Sequence, residues 1–298
     1  MRVLVTGHEG FVGRHLIPKL LKAGYEVHGT EDLEGFLQLP LALTKWDVVV
    51  HLAANIINVH DRGKIGMRAF DDIALDMKMF KWVERNPPSQ AMIVMSSCAL
   101  DFPEDPYCIV KRNLEAFAGC LTKQNIPLVI LRPYSGYGGD QSLEYPFPAI
   151  LDRAMRKEDP LTVWGGSQVR DWLHIEDLTN AIMYGIGHFP HGIPIQIGTG
   201  IGTDVYTLAQ KIAEALGYSP EIKGDTSKQS SSPHRVADVG TAEKYGWKST
   251  VTLEEGIRRA INGVDAQTQV RQALGSPLVT RFEKLSAKKL WFTAGVGR

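Results

Sequence analysis

The chain has 298 residues, 44% of them apolar and 22% charged, with 33 Lys plus Arg balancing 33 Asp plus Glu. That composition supplies a sizeable core, excludes wholesale disorder, and leaves no net-charge footprint for nucleic acid or an anionic membrane surface. Cys98, Cys108 and Cys120 are too few and too scattered for a disulfide framework or a structural zinc, and neither a signal-like N-terminus nor a long apolar run is present, so a soluble, reduced, cytoplasmic protein is the expectation.

Strand and helix signals alternate for most of the length. Val3-Leu4-Val5 reads as a short strand running into glycines, His15–Ala23 as a helix stopping at Gly24, and Tyr25–Thr30 as a second strand. Asp47–Leu52 is a continuous apolar strand of the kind a parallel sheet buries on both faces. Helices over Ala69–Arg85 and Tyr107–Lys123 alternate with strands at Met92–Met95 and Leu128–Leu131. The alternation predicts an α/β fold with a Rossmann-type doubly wound parallel sheet. After Pro133 the pattern turns irregular, and glycine, proline and aromatic residues gather over 134–170 in the manner of a substrate-facing segment. Ser227–Ser232 is a polar loop.

The boundaries expected are a nucleotide-binding domain over 1–145 plus about 170–200, and a smaller α/β substrate-binding lobe from 146–169 and 201–264. A basic extension fills 265–298, with six basic residues against two acidic ones. It reads as a solvated helical extension or as a docking segment for a sister subunit.

Gly7-His8-Glu9-Gly10-Phe11-Val12-Gly13 lies between a strand and an amphipathic helix. The first glycine permits the tight turn, the second lets backbone approach a pyrophosphate, and the third lets helix and sheet pack closely. Backbone N–H groups and the positive helix end then hold the phosphates. Glu31, at the end of the second strand, suits the ribose hydroxyls and repels a 2′-phosphate, which favours NAD over NADP; Asp32 beside it is the alternative.

Tyr107 and Lys111 stand four apart at a helix start and share a face. An ammonium near a phenol lowers its pKa, and a phenolate can take the proton of an alcohol as hydride leaves the carbinol carbon. Ser96-Ser97-Cys98, at the end of the preceding strand, offers a hydroxyl to the reacting oxygen.

With His51-Leu52-Ala53-Ala54 and Leu131-Arg132-Pro133-Tyr134 added, these motifs resemble the extended short-chain dehydrogenase/reductase family, in its NAD-dependent nucleotide-sugar epimerase/dehydratase branch. Pro160–Gly166, Gln168–Leu178, Ile197–Gly200, Arg235–Asp238 and Gly246-Trp247 continue the likeness, which covers about residues 1–263. The resemblance implies Tyr107 as catalytic acid/base, Lys111 as holder of the nicotinamide ribose, and Ser97 as partner of the reacting hydroxyl, with Ser96 and Cys98 as alternatives for that place. It implies cofactor contacts at Gly7, Gly10, Phe11, Val12, Gly13, Glu31, Asp32, Leu52, Ala53, Ala54, Ser96, Tyr107, Lys111 and Pro133. It implies substrate contacts at Ser97, Tyr134, Val163, Trp164, Arg170 and Arg235, the two arginines near a diphosphate whose geometry suits guanidinium. A structural pair of Arg170 with Asp171 or Asp177 is the competing reading.

The sequence also departs from the family. Nine residues separate Ser97 from Tyr107, and prolines at 103 and 106 with acids at 101, 104 and 105 suggest a tight loop and a shortened lid. No third strand is evident between Glu31 and Asp47, and Asp71, Asp72 and Asp76 stand where the family often has asparagine. Ser97 is followed by Cys98-Ala99, without the Asp-Glu pair of a 4,6-dehydratase.

The reading is therefore an NAD-dependent epimerase of a nucleotide-diphosphate sugar acting at C4. The alternatives are an NAD(P)H-dependent keto-sugar reductase or epimerase-reductase, with Cys98 as a proton carrier, and a non-catalytic dinucleotide sensor or assembly subunit. The helices at 69–85 and 107–123 would pair two copies. His51, at a strand end, reads as a packing residue, and His174 as one that stabilises the turn after its strand. No His/Cys/Asp cluster has metal-ligand spacing.

Overall fold

The computed structural model describes residues 1–54, 65–100, 105–225, 227, 232–274 and 291–292; within these, side chains are described except at 41, 42, 65–67, 265–274, 291 and 292. The loop 101–104, part of the polar loop 227–232, and residues 275–290 and 293–298 of the basic extension lie outside the described residues.

The chain opens with β1 (Arg2–Thr6), α1 (Phe11–Lys22), β2 (Glu26–Thr30), α2 (Leu33–Leu37), a 3-10 turn (Pro40–Leu43) and β3 (Val48–His51). It continues with α3 (Ile65–Arg85), β4 (Ala91–Met95), α4 (Pro106–Thr122) and β5 (Leu128–Pro133). The main sheet has the order β13-β2-β1-β3-β4-β5-β9, with β9 (Pro194–Ile197) and β13 (Trp291–Phe292) at its edges. All pairings are parallel except that of β13, which lies antiparallel on β2. β1 pairs with β2 on one side and β3 on the other, in the registers Val3↔Val27 and Val3↔Val48. The strand order therefore reverses beside β1, and the ends of β1, β2 and β3 open the crevice where such sheets hold ligands.

Both faces of the sheet are covered, which explains the uninterrupted apolar strands. Leu16, Leu20, Leu178 and Ile182 cover one face from α1 and α6 (Ile175–His188). Met79, Val83, Leu114 and Ala118 cover the other from α3 and α4. Side chains of this kind contribute roughly 1.5–3 kcal/mol each on full burial. The predicted helix stop is seen at Gly24, whose φ of +79° suits glycine alone among ordinary residues. No third strand forms between β2 and β3; α2 and the 3-10 turn fill that stretch, and β13 takes the place on the outer side of β2.

The smaller lobe is built on β6 (Ser135–Tyr137), β8 (Val169–His174), β10 (Gly202–Asp204) and β12 (His234–Arg235), with β8 at the centre. A parallel pair, β7 (Leu161–Trp164) and β11 (Ile222–Asp225), joins α5 (Pro146–Met155), α7 (Val205–Ala215) and the start of α9 (Leu253–Leu274). Phe147, Leu151, Val163, Leu208, Ile212 and Ile257 form its core.

The lobes interleave more than the expected boundaries allow. β8 belongs to the second sheet although Leu173 reaches the core of the first. The stretch with α8 (Gly240–Lys244) returns to the first lobe and buries Ala242 and Trp247 there. Alternating burial along short strands is a local property, whereas the sheet a strand joins depends on distant partners.

Candidate functional site

At the glycine turn the backbone is packed against itself. Gly7 has φ +68°, and a Cβ there would sit 2.7 Å from the Ala53 nitrogen. A Cβ on Gly13 would lie 2.5 Å from the carbonyl oxygens of Gly7 and His8. Gly10 caps α1 without a side-chain hydrogen bond, and no acidic residue occupies the first turn. The N–H groups of Phe11, Val12 and Gly13 thus form an uncapped positive helix end, which suits a pyrophosphate. Phe11 and Val12 are half-buried, Val12 against the main core, and Leu52, Ala53 and Ala54 leave β3 alongside Gly7.

Glu31 is already oriented. Its Oε1 accepts the Glu9 N–H at 2.8 Å and lies 3.1 Å from His8 Nδ1. Burial works to raise its pKa, but these two partners outweigh it and hold the carboxyl below its usual range. Asp32 is used otherwise: its carboxylate caps α2 by accepting the Gly35 N–H at 2.8 Å. The structure therefore puts Glu31, not Asp32, at the mouth of the turn.

The second cluster lies at the ends of β4 and β5. Ser97 Oγ accepts the Ala99 N–H at 3.1 Å, and its hydroxyl lies near enough to the Tyr107 phenol to work its pKa downward. Tyr107 is in the first turn of α4, whose N-cap Asp105 accepts the Tyr107 N–H. Lys111 follows one turn later, buried, with Nζ donating to the Met95 carbonyl at 2.9 Å and lying 5.9 Å from the Tyr107 ring centroid. Burial pushes Tyr107 up to about 12, against the Ser97 hydroxyl, which works downward. The expected lowering of the Tyr107 pKa is thus not found in this state: loss of hydration is the largest cause, Cys98, Cys108 and Asp72 act the same way, and Ser97 opposes them.

Ser96 turns away from the reacting centre. Its hydroxyl donates to Glu115, which also receives Arg132 in a two-point pair with Nε at 2.6 Å. Sequence reasoning missed this Ser96–Glu115–Arg132 group; only the helix spacing from Lys111 to Glu115 hints that both face β4 and β5.

A cavity of about 370 Å³ opens beside Tyr107. Ser96, Ser97, Cys98 and Pro133 line it, together with Tyr134 and the Tyr145–Phe147 segment, and with Arg170, Trp172 and Arg235. Tyr134 is fixed by donating to Gln196 Oε1 at 2.6 Å. Arg170 and Arg235 are register partners on β8 and β12. Arg170 donates to the carbonyls of Val169 and Ser232 at 2.7 and 3.0 Å, and Arg235 Nε is buried with no hydrogen-bond partner among the described residues. Burial, and then the like charge of Arg235, pull the Arg170 pKa down to about 10.

The competing structural pairs are not made. Asp171 accepts from Thr199 N, Thr199 Oγ1, Gly200 N and Ala237 N, and Asp177 from Thr250 and Val251. Two adjacent guanidiniums facing one cavity, with no carboxylate paired to either among the described residues, suit a dianion. Val163 is different from expectation: it is fully buried in the lobe core, and the side chain is closed to any ligand. Trp164 is half-buried under Arg153 and does not line this cavity. Among the described residues no His/Cys/Asp/Glu group could hold a metal ion, and no helix is long and apolar enough to cross a membrane.

A Rossmann-type sheet with a glycine turn at its switch point, and a Ser–Tyr–Lys set at the ends of β4 and α4, define an α/β protein of the extended short-chain dehydrogenase/reductase class. The chain belongs to the NAD dependent epimerase/dehydratase family, whose model matches residues 3–198. NAD(P) is the cofactor class of that family, in agreement with the uncapped turn and Glu31.

The chain is 31% identical to a probable GDP-L-fucose synthase 1 of Oryza sativa, over 86% of this chain and 89% of the relative. It is 25% identical to a putative UDP-glucose 4-epimerase of Methanocaldococcus jannaschii, over 87% and 97%. The fold matches the UDP-glucuronic acid 4-epimerase of Bacillus cereus, solved with UDP-glucuronic acid and NAD, with a TM-score of 0.79, 23% identity, and coverage of 90% of this chain and all of that one.

Proposed function

We propose that the protein is an NAD-dependent epimerase that inverts C4 of a nucleotide-diphosphate sugar. One observation carries this reading: the Ser97–Tyr107 hydroxyl pair and the uncompensated Arg170–Arg235 pair face the same cavity. The diphosphate lies on the arginines and the sugar reaches Tyr107. The glycine turn and Glu31 would hold NAD, which would supply a reversible hydride acceptor. Ser97 Oγ holds the sugar oxygen, and Tyr107, once it has released its own proton, takes the hydroxyl proton as a phenolate and later returns it. Lys111 supplies positive charge behind the phenol, and Tyr134 borders the sugar.

A second reading has its own support. Cys98 lines the same cavity, and several relatives carry the name GDP-L-fucose synthase, so the keto-sugar epimerase-reductase is its nearest competitor. The deciding experiment is anaerobic incubation of the protein with UDP-, GDP- and dTDP-sugars, read by reduced-nicotinamide absorbance and product chromatography. A new epimer without net cofactor reduction supports the epimerase. Stoichiometric cofactor oxidation with a keto-sugar overturns it in favour of the reductase. Bound dinucleotide with no turnover of any sugar overturns both in favour of a sensor.

The reading includes a homodimer through α3 and α4, whose outer surfaces expose Phe70, Ile109 and Phe117. It also includes a reducing cytoplasm, where Cys98, Cys108 and Cys120, none of them in a disulfide, stay as thiols.

A further inference from the structure

Beneath the Tyr–Lys pair runs a line of buried polar side chains that the proposed reaction does not use. It runs from the main sheet into the helix layer of α3 and α4 beside it. Ala53 N–H donates to Thr6 Oγ1 at 3.2 Å, Thr6 Oγ1 meets His51 Nδ1 at 2.7 Å, and His51 Nε2 meets Asp76 Oδ1 at 3.1 Å. Thr6, His51, Asp72, Asp76 and Lys111 are all buried, Lys111 to 8% exposure. With Asp76 as a carboxylate, which can only accept, His51 Nε2–H donates to it; in the neutral ring His51 Nδ1 then accepts the Thr6 hydroxyl proton, and Thr6 Oγ1 keeps a lone pair for the Ala53 N–H.

Asp76 and Asp72 lie one turn apart on α3, which packs against α4. His51, which holds Asp76, is the register partner of Val94 on β4, and the next carbonyl along β4, Met95 O, holds Lys111, so both charged groups come to neighbouring strand ends. Lys111 has a neutral carbonyl, Met95 O, as its hydrogen-bond acceptor. An ammonium buried on a neutral acceptor alone is poorly compensated.

We propose that Asp76, seconded by Asp72, is the counter-charge that keeps Lys111 an ammonium inside the fold, and that His51 and Thr6 fix its carboxylate from below the glycine turn. Asp76 is in this sense a positioning residue. The inference rests on the reading of Lys111 as a working cation. Electrostatics agree in direction: burial lowers the Lys111 pKa, and Asp76 and then Asp72 act against that lowering. The titratable groups around this centre are His51 from β3, Asp72 from α3, and Lys111 and Tyr107 from α4, with Tyr107 within reach of the Asp72 charge.

The test needs neither sugar nor cofactor, so its failure is separate from failure of the epimerase reading. Equilibrium unfolding of the whole chain is followed from about pH 7.5 to about pH 10, above the range in which His titrates. The proteins are the natural one, Asp76→Asn, Lys111→Met and the double variant. Asn keeps an acceptor for His51 and removes only the charge.

The expected result is a Tm deficit of several degrees for Asp76→Asn near neutral pH, where Lys111 carries an uncompensated charge. The deficit shrinks as rising pH takes the proton from Lys111, and it vanishes in the Lys111→Met background. A deficit that is constant with pH, or that persists in that background, overturns the proposal and leaves Asp76 as a structural partner of His51. If Asp76→Asn does not fold, Asp72→Asn enters the same cycle with a smaller shift of the same sign expected; no shift there overturns the proposal equally.

Discussion

At the glycine turn the chain presents backbone. Gly7 and Gly13 have no room for a Cβ, the helix end is left uncapped, and Glu31 is held by a neighbouring N–H and a histidine. At the cavity beside Tyr107 the chain presents side chains instead, hydroxyls together with two guanidiniums. A backbone site recognises what every dinucleotide shares and tolerates no added atom. A side-chain site recognises one ligand's charges and can change residue by residue without disturbing the fold. The two regions should therefore fail differently when altered.

The largest effect is expected at Tyr107→Phe, which removes the proton carrier and keeps the ring. Turnover should fall about 10²–10⁴-fold while NAD affinity, measured by calorimetry, stays within a factor of a few. Preserved turnover would break the division of labour between the two regions. Gly13→Ala should do the reverse, destabilising the fold by about 1–3 kcal/mol and abolishing detectable NAD binding, because backbone carbonyls stand 2.5 Å from the new Cβ.

Arg235→Leu should raise the KM for the nucleotide sugar about 10–100-fold, the loss of a charged hydrogen bond of about 1.5–3 kcal/mol, with NAD affinity unchanged. A matching loss of NAD affinity would show that the two regions share one ligand.

A smaller effect concerns the join between the regions. Asp140 bonds Arg14 at 2.7 Å and His15 at 2.9 Å from α1. Burial raises its pKa, but the partners outweigh it and hold it at about 2, against an ordinary 3.8. A depressed carboxyl pKa stabilises the fold above the ordinary value and is lost as pH falls through the folded one. Acid unfolding should thus show a stability loss between about pH 4 and about pH 2, on the order of 1 kcal/mol after solvent screening. Asp140→Asn should flatten it.

The smallest effect is expected at His8→Asn. Freeing Glu31 from one partner should relax the preference for NAD over NADP a few-fold, read as the ratio of the two Kd values, and leave the sugar cavity untouched.

What the sequence made readable follows the same division. The glycine turn and the Tyr107–Lys111 spacing are contiguous or one helical turn long, so local pattern is enough to find them. Arg170 and Arg235 are far apart in the chain, and motif likeness named them; only the register of β8 with β12 shows that they are neighbours.

The acidity of Tyr107 was misread because spacing places the lysine on the same face but gives no burial, and burial decides the sign. Val163 was misassigned for a related reason: in a strand that alternates, which residue faces the core depends on the layer behind it. Asp32 and Glu31 are adjacent and chemically alike, and α2, which claims Asp32 as its cap, is too short to announce itself. The pairing of His51 with Asp76 joins a strand to a helix across a segment whose length alone fixes no register.

Asp171 carries a consequence for how such a protein changes its substrate over generations. This one buried carboxylate ties β8 to the turn at 199–200 and to the stretch just after Arg235. The arginine pair therefore stands on a locked base, and drift there is penalised by three segments at once. The segment 142–146 just before the buried Phe147 is anchored far less, with Leu143 and its neighbours open to solvent. New sugars should be acquired by rewriting that flank, while the phosphate end is inherited unchanged.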